Sequence, residues 1–543
     1  MGRGPQDMDA NAGGGGQSNS QDMSKRQGLM AVNDLNYVLE PDLSVASNKT
    51  HKNHFFQSNE YTPNQTAICI LNSGADYIDT RRSWLEFDVD FGGVAGAPTA
   101  FTGPFDEFTD QTVTHDNETH GSFGVHGSAC NLIDSILIST RSGDELCHLF
   151  DFNLMQNMLI PLAYGREWVD GPGALMGFGG GVTNGQVKRF AIPMYILAPL
   201  FGYGRLMPSM LMSGMRIEIN WASPERAFQT IRSNKGLNDD TDAYATPVER
   251  SPKYVVKNPR FVLSSVQLSD SIQRALNELS ATNGLEIVYT DYAQTSYNGK
   301  NDLETVNTEI RKSCSRALKA FARVRNVSYN KARYVTNTVT GPENEDDENG
   351  IGLESCNDSF RGENRFPFME YQWQLGSLYF PQQPVSGGGG NSPADITRKC
   401  AVSAYAHCLE AVDKYHDNAP IFNTFRGVPD GGYFTGDSYH SRATRLNPGF
   451  DSLGFGYDGQ QTTIAVTLER STMFNLAGVP VNNSRVLALR AKLSTEKTEY
   501  KLSHSLGAAY PTKVEGETLR QLNIFLKYVK LCRVFMNNVE VEQ

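Results

Sequence analysis

Leu85, Phe87, Val89 and Phe91 alternate with Glu86, Asp88 and Asp90. A period of two with one charged face predicts a half-exposed β-strand. Leu132 to Ser139 predicts a second strand. Glu145 to Leu159 reads as a helix ended by Pro161, with Leu146, Leu149, Phe150, Leu154 and Met158 on one broad face. Ala191 to Ala222 carries two apolar, strand-like stretches around a Pro-Ser turn. In the second of them Ile217, Ile219 and Trp221 face one way, and Arg216, Glu218 and Asn220 the other.

A short helix follows near the middle of the chain. Ser269 is its N-cap, Ile272, Leu276 and Leu279 form its stripe, and Gly284 is its stop. Beyond it the same style returns. Leu285 to Tyr289 predicts a strand. Leu318, Ala320, Ala322 and Val324 alternate with Lys319, Phe321, Arg323 and Arg325 in another, and Tyr371, Trp373 and Leu375 begin a third. A helix capped by Ser392, with Pro393 in its first turn, turns Ile396, Cys400, Ala404, Cys408 and Val412 inward. Thr462 to Leu468, Arg485 to Leu493 and Leu522 to Val534 supply the remaining strands. Two long, polar, acid-bearing loops, one from Phe91 to Gly127 and one containing the run Glu343 to Glu348, interrupt the two halves at corresponding places.

The halves also share a short repeat. VKNPRFVLSSVQL at 256–268 is answered by VKLCRVFMNNVEV at 529–541, so that Val256, Lys257, Arg260 and Val266 recur as Val529, Lys530, Arg533 and Val539 at a constant offset of 273. Shared element order and a shared closing strand predict an all-β protein of two tandem eight-stranded jelly rolls, with short helices in the inter-strand loops. The expected division is a flexible N-terminal arm at 1–30, a first jelly roll at 31–270 and a second at 271–543. The arm follows from composition: GGGG at 13–16 sits among Ser, Asn, Gln, Asp and Met, which bury too little surface to order themselves.

Bulk properties agree with this picture. The chain of 543 residues suits two domains of roughly 200–250 residues better than one sandwich. Fifty glycines point to many turns. The net charge of −11 argues against wrapping nucleic acid, which needs clustered Lys and Arg, so no direct sequence-specific nucleic-acid binding is expected. Eight scattered cysteines with no C-x-x-C pair leave a zinc site unsupported and read as reduced, buried thiols of a protein made inside a cell. No run approaches 18 apolar residues and no apolar signal stretch opens the chain, so neither a membrane span nor secretion is expected.

The search for chemistry nominates no catalytic, cofactor-binding or metal-binding residue, and no cofactor. None of the ten histidines has Asp or Glu two residues on, and H-x-H, H-E-x-x-H, the phosphate loop and G-x-S-x-G are missing. A G-x-G-x-x-G run occurs at Gly454, Gly456 and Gly459, but the following TTIAV reads as a strand, whereas a dinucleotide site needs a helix N-terminus there. His115, His120 and His126, beside Asp116 and Glu118, read as a solvated loop. Arg311, Lys312, Arg316, Lys319, Arg323 and Arg325 read as the outer face of a strand that pairs with acids across a subunit contact. The protein is expected not to be an enzyme. Tyr297, Tyr433 and Tyr439 in Gly/Asn-rich loops motivate a different reading, a carbohydrate-binding or glycoside-cleaving β-sandwich.

Five stretches carry a family resemblance: YIDTRRSWLEFDVDF (77–91), IPMYILAPLFGYGRLMPSMLMSGMRIEINWA (192–222), VKNPRFVLSSVQLSDSI (256–272), WQLGSLYFPQQPV (373–385) and FLKYVKLCRVFMNNVEVEQ (525–543). The chain resembles the double jelly-roll major capsid proteins of icosahedral DNA viruses, above all those of polinton-like viruses and virophages, with adenovirus hexons more distant. The resemblance implies upright jelly rolls and a homotrimeric, pseudo-hexameric capsomer. The long loops would form its outer towers. Contacts to neighbouring capsomers and to a penton or minor capsid protein at the vertices would complete a virion shell. A virion receptor-binding spike is the other reading within that setting. Some relatives carry a C-terminal segment removed by a protease; no such segment is expected here.

Overall fold

The structure, a computed structural model, describes residues 46–90, 121–123, 127–178, 181–182, 187–227, 229–230, 254–300, 305–326, 368–386, 402–413, 463–469, 478–482, 485–493, 502–503, 509–510, 519–535 and 538–542. The principal strands of the first half are β1 (Ala46–Phe55), β2 (Thr66–Ile70), β3 (Tyr77–Asp90), β4 (Ile133–Ser139), β5 (Glu145–Leu149), β6 (Val187–Pro193), β7 (Arg216–Trp221) and β8 (Val255–Leu268). Those of the second half are β9 (Leu285–Lys300), β10 (Thr305–Ile310), β11 (Cys314–Asn326), β12 (Phe368–Leu375), β13 (Leu378–Ser386), β14 (Thr463–Thr467), β15 (Leu487–Leu493) and β16 (Leu519–Val534).

Strand order decides the architecture. The first half forms the antiparallel sheets β1-β8-β3-β6 and β2-β7-β4-β5. The second forms β9-β16-β11-β14 and β10-β15-β12-β13. Each strand of the second half takes the place of the strand eight labels earlier. Each half is therefore a double-sheet sandwich in which the first strand lies beside the last, the arrangement of a jelly roll. The two sheets of each sandwich close on inward, period-two side chains. In the first roll these include Leu85, Phe87 and Val89 of β3 and Ile217, Ile219 and Trp221 of β7, with Phe87 and Trp221 edge to face at 5.3 Å between centroids. In the second they include Ala320 and Ala322 of β11, Leu522, Ile524 and Leu526 of β16, and Trp373 of β12.

The sequence repeat falls on the two closing strands only in part. Val256, Lys257, Arg260 and Val266 all lie on β8, whereas Val529, Lys530 and Arg533 lie on β16 and Val539 opens a further short strand, Val539–Glu542, that pairs back onto it.

Among the described residues the longer helices in the connections are α1 (Phe152–Ala163), α2 (Asp270–Thr282) and α3 (Val402–Ala411). The first corrects the expected helix at 145–159. Residues 145–149 are strand β5, paired with β4, and the helix starts after Asp151, which sits at φ 43°. It also runs through Pro161 to Ala163. The apolar run around Leu146 and Leu149 suits a buried edge strand as well as a helix, and the local sequence does not separate the two. The stretch 191–222 likewise holds the end of β6, short helical turns at Met194–Leu197, Pro199–Gly202 and Ser209–Met212, and then β7.

Helix α2 joins the rolls. Ser269 precedes it in extended conformation but makes no side-chain cap hydrogen bond. Ile272 and Leu276 pack on Tyr77, Val266 and Leu268, while Leu279 stays 44% exposed. Gly284 follows at φ +74°, where a Cβ would also meet the Phe535 ring at 3.0 Å, so Gly is the residue that fits. For α3, Ala404 and Cys408 are buried and Val412, just past its end, is half-buried. The expected cap at Ser392, together with Ile396 and Cys400, lies outside the described residues, as do the N-terminal arm and most of both long loops.

Candidate assembly interface

A buried polar cluster lies where the first roll meets the second. Strand β5 is the outer strand of its sheet, and a sheet edge leaves backbone groups unpaired. The second roll supplies partners. The carbonyl of Leu146 accepts from the Tyr289 hydroxyl at 2.7 Å and from Lys530 Nζ at 3.0 Å. Lys530 is also ion-paired to Asp291 Oδ2 at 2.8 Å, with both side chains buried. Asp291 accepts further hydrogen bonds from the Tyr528 hydroxyl at 3.1 Å and from Cys147 Sγ at 3.1 Å. A buried charge needs a partner and filled lone pairs, and this carboxylate has both, with donors from both rolls.

Protonation follows from that setting. Burial, reinforced by the Asp291 charge beside it, pushes the Cys147 thiol well above its ordinary range. The same two causes raise the Tyr289 and Tyr528 hydroxyls. Burial pushes Cys532 up to about 12. These groups stay protonated, and Cys147, Tyr289 and Tyr528 serve as donors. The thiolate is the reactive form of cysteine, so these thiols are packing and hydrogen-bonding groups. The described cysteines, Cys69, Cys130, Cys147, Cys314, Cys408 and Cys532, are all free and buried.

A second contact covers the outer face of β9-β16-β11-β14. On β11 the alternation places Lys319, Phe321 and Arg323 on that face, and β16 adds Asn523 and Phe525. Arg323 Nη1 donates to the carbonyl of Leu154 in α1, and Gln294 Nε2 donates to Asp151 just before that helix. Asp151 is paired in turn with Arg226, which also holds Asp134. Phe321 and Phe525 join the apolar cluster of the first roll. The sequence reading of this basic strand is corrected here. Lys319 and Arg323 are buried, Lys319 pairs with Asp413 of its own chain at 2.5 Å, and Arg323 meets the first roll. Arg311 and Arg316 are exposed and Lys312 half-buried, so these five residues do not act as one face. The signal available in the sequence was the Phe between the bases, since a solvated face rarely carries one.

The corresponding outer face of β1-β8-β3-β6 is built differently. Glu86, Asp88 and Asp90 of β3 project from it in a ladder of ion pairs. Arg189 of β6 reaches Asp88 at 2.6 Å and Glu86 at 3.4 Å, Arg260 of β8 reaches Glu86 at 2.6 Å, and Lys257 reaches Asp90 at 2.6 Å. Further along, Lys52 meets Asp76 at 2.5 Å, and Asp76 also accepts from Ser265 at 2.6 Å. The Arg189 hydrogen bond holds the Asp88 carboxyl below its ordinary 3.8, and Lys52 and Ser265 do the same for Asp76. A depressed folded-state value contributes stability that is present above the unfolded value and is lost as pH falls through the folded one. Stability is therefore expected to hold steady from neutral pH to about pH 5 and to decline below about pH 4. Urea unfolding midpoints against pH test this, and Asp88→Asn is expected to flatten part of the acid slope.

Of the other residues weighed from sequence, His115, His120, His126, Asp116, Glu118, Gly454, Gly456, Gly459, Tyr433 and Tyr439 lie outside the described residues. Tyr297 is 37% exposed. Among the described residues there is no group of three or more His, Cys, Asp or Glu placed to hold a metal ion, and no helix is long and apolar enough to cross a membrane.

No family model matches the chain, and no curated protein matches it. Solved structures do. VP54 of PBCV-1, a crystal structure fitted into a cryo-EM reconstruction of the virophage Sputnik, aligns over 94% of this chain and 99% of its own, at 10% identity and a TM-score of 0.53. The fold is the double jelly roll. A quasi-atomic model of the PBCV-1 virus capsid gives a TM-score of 0.52 at 10% identity, again over 94% of this chain and 99% of that one. A chain of the Sputnik virophage structure covers 93% of this chain and 92% of its own at 11% identity, with a TM-score of 0.48. At such identities the double jelly roll is shared as a backbone plan.

Proposed function

We propose that this protein is a major capsid protein, a structural building block whose three copies form a pseudo-hexameric capsomer of an icosahedral virus shell. The observation that carries the reading is the tandem pair of jelly rolls fixed against each other, in a chain similar over nearly its whole length to VP54 of PBCV-1 and to a chain of the PBCV-1 capsid. The rolls share one apolar cluster that runs from Leu85 and Phe87 through to Phe321, Phe525 and Val534. A chain built this way offers two similar, rigidly related blocks, and three such chains supply six around a ring.

In this reading the division falls at α2, with the first roll on its N-terminal side and the second on its C-terminal side. The work is mechanical and non-enzymatic. Partners are further copies of the chain, then neighbouring capsomers, then a penton or minor protein at the vertices, and the place of action is the virion. Obligate interfaces of this type bury roughly 2,000–5,000 Å², and many weak capsomer contacts then act together. The carbohydrate-binding or glycoside-cleaving reading draws no support from these likenesses. Light scattering on the purified protein tests the proposal. The expected mass is three times the 60.0 kDa of one chain, and a species that stays at one chain over a hundredfold range of concentration would remove the proposal.

A further inference from the structure

Short connections close one end of both rolls. In the first, Ile70, Arg216 and Ser139 form the last cross-strand row of the β2-β7-β4-β5 sheet. In the second, Ile310, Leu487 and Leu375 form the equivalent row. Beyond these rows lie the turns 71–76, 140–144, 311–313 and 376–377, the stretch 194–215 and helix α2. The two ends sit side by side. The Tyr203 hydroxyl donates to the Glu286 carbonyl at 3.4 Å, and Ser280 of α2 donates to the Val534 carbonyl at 3.2 Å. The acid-bearing segments that follow Asp90 and Asn326 start from the opposite end, and the first of them, 91–127, holds no Lys or Arg.

Arginines collect at this end. Arg81, Arg141 and Arg205 of the first roll and Arg311, Arg316 and Arg485 of the second are all exposed. Among the described residues none of the six is ion-paired to an acid. Their places are set by the backbone. Arg81 stands where β3 bulges away from β8 between Asp79 and Trp84, and a Cβ on Gly204 would come within 2.6 Å of its Nη2. Arg141 lies 3.0 Å from the Cβ position of Gly214, and Arg485 lies 3.7 Å from that of Gly376. The sides of the first roll differ, since Arg189, Arg260 and Lys257 are each matched to a carboxylate. Several acids near this end are already engaged: Asp76 by Lys52, Asp79 by Lys49 and Arg82, and Asp144 by Ser142. Asp270 and Glu278 share α2 with Arg274. The arginines are therefore in excess, although the chain as a whole carries −11.

We propose that this arginine-bearing end binds the phosphate backbone of nucleic acid without reading its sequence. The inference rests on the capsid reading above, and it makes this end the one turned toward enclosed nucleic acid. Unpaired cations gathered at one end raise a local positive potential, and a polyanion relieves it. Arginine suits phosphate because its planar fork meets two oxygens at once. Contacts of this kind position a duplex and carry no sequence information. A lipid surface is a poorer fit. Membrane-surface helices set an apolar face into the bilayer and basic residues at its rim. Helix α2, the longer helix at this end, instead packs Ile272 and Leu276 on the roll and carries Asp270 and Glu278.

Fluorescence anisotropy of the full-length protein with a labelled, mixed-sequence DNA duplex tests this over a range of salt. Binding is expected to be indifferent to sequence and to fall steeply as salt rises, with a log–log slope of roughly −3 to −5. Arg141→Glu, Arg205→Glu and Arg485→Glu together, all at exposed positions, are expected to weaken binding at least about tenfold and to flatten that slope, with the far-UV spectrum unchanged. Arg490→Glu with Lys492→Glu, exposed on β15 away from this end, is the control and is expected to change affinity less than about twofold. A triple variant that binds as before, a control that weakens as much, or binding to phosphatidylserine vesicles with none to DNA would overturn the proposal. Light scattering on the same samples separates it from the capsomer reading. Trimers that ignore DNA overturn the surface alone, and monomers that bind DNA overturn the capsomer alone.

Discussion

Asp291→Ala is expected to destabilise the protein by about 3–5 kcal/mol, the usual cost of removing one partner of a buried ion pair. Lys530, fully buried, would lose its carboxylate partner and keep the Leu146 carbonyl at hydrogen-bond distance. The Tyr528 hydroxyl and the Cys147 thiol would lose their acceptor as well. Because donors from both rolls converge on this carboxylate, the loss should also loosen the joint, so that calorimetry shows the single transition broadening or splitting. The paired replacement Asp291→Leu with Lys530→Met should cost much less than either change alone, since it removes both charges and keeps apolar volume. A single-site cost under about 1 kcal/mol would mean that water reaches the pair, as at surface ion pairs, and that the joint is wetter than its burial implies.

The second large effect lies in the first core. Trp221 is 1% exposed, closes β7, and sets its ring edge to face against Phe87. Trp221→Ala is expected to cost about 3–5 kcal/mol through lost contacts and the cavity left behind. Its indole N–H has no hydrogen-bond partner among the described residues. An unsatisfied buried donor already works against the fold. Trp221→Phe therefore gives up volume but also removes that donor, and it should cost clearly less than the alanine change. Chemical denaturation of the two variants compares them, and equal losses would place the energy in the N–H rather than in packing.

Much of this fold was legible where one face of a strand is buried and the other is charged. The Leu85–Val89 alternation, the Ile217–Trp221 alternation and the Leu318–Ala322 alternation each mark a strand that the structure contains. Strand β1 was not legible. Its sequence, ASNKTHKNHF, has no apolar period, because it is an exposed outer strand held by backbone pairing to β8. Strand β5 was hidden inside an apolar run that continues into α1, with Asp151 as the local break between the two. The roll-to-roll contact was the least legible part. Asp291 and Lys530 stand 239 residues apart in the sequence, and nothing local marks them as partners. Their neighbours Tyr289 and Tyr528 carry ordinary strand-forming side chains. The acidic alternation of β3 and the basic one of β11 were visible. That they occupy equivalent places, one half-exposed and one covered by the neighbouring roll, follows only from the pairing of each with its closing strand.

In the proposed capsomer the two jelly rolls of each chain act as one rigid third of a ring. Negative-stain electron microscopy of the purified full-length protein tests that most directly. The predicted result is class averages of three-chain particles with a six-sided outline and six lobes. Isolated two-lobed particles at every concentration, or an assembly with another number of chains, would contradict it.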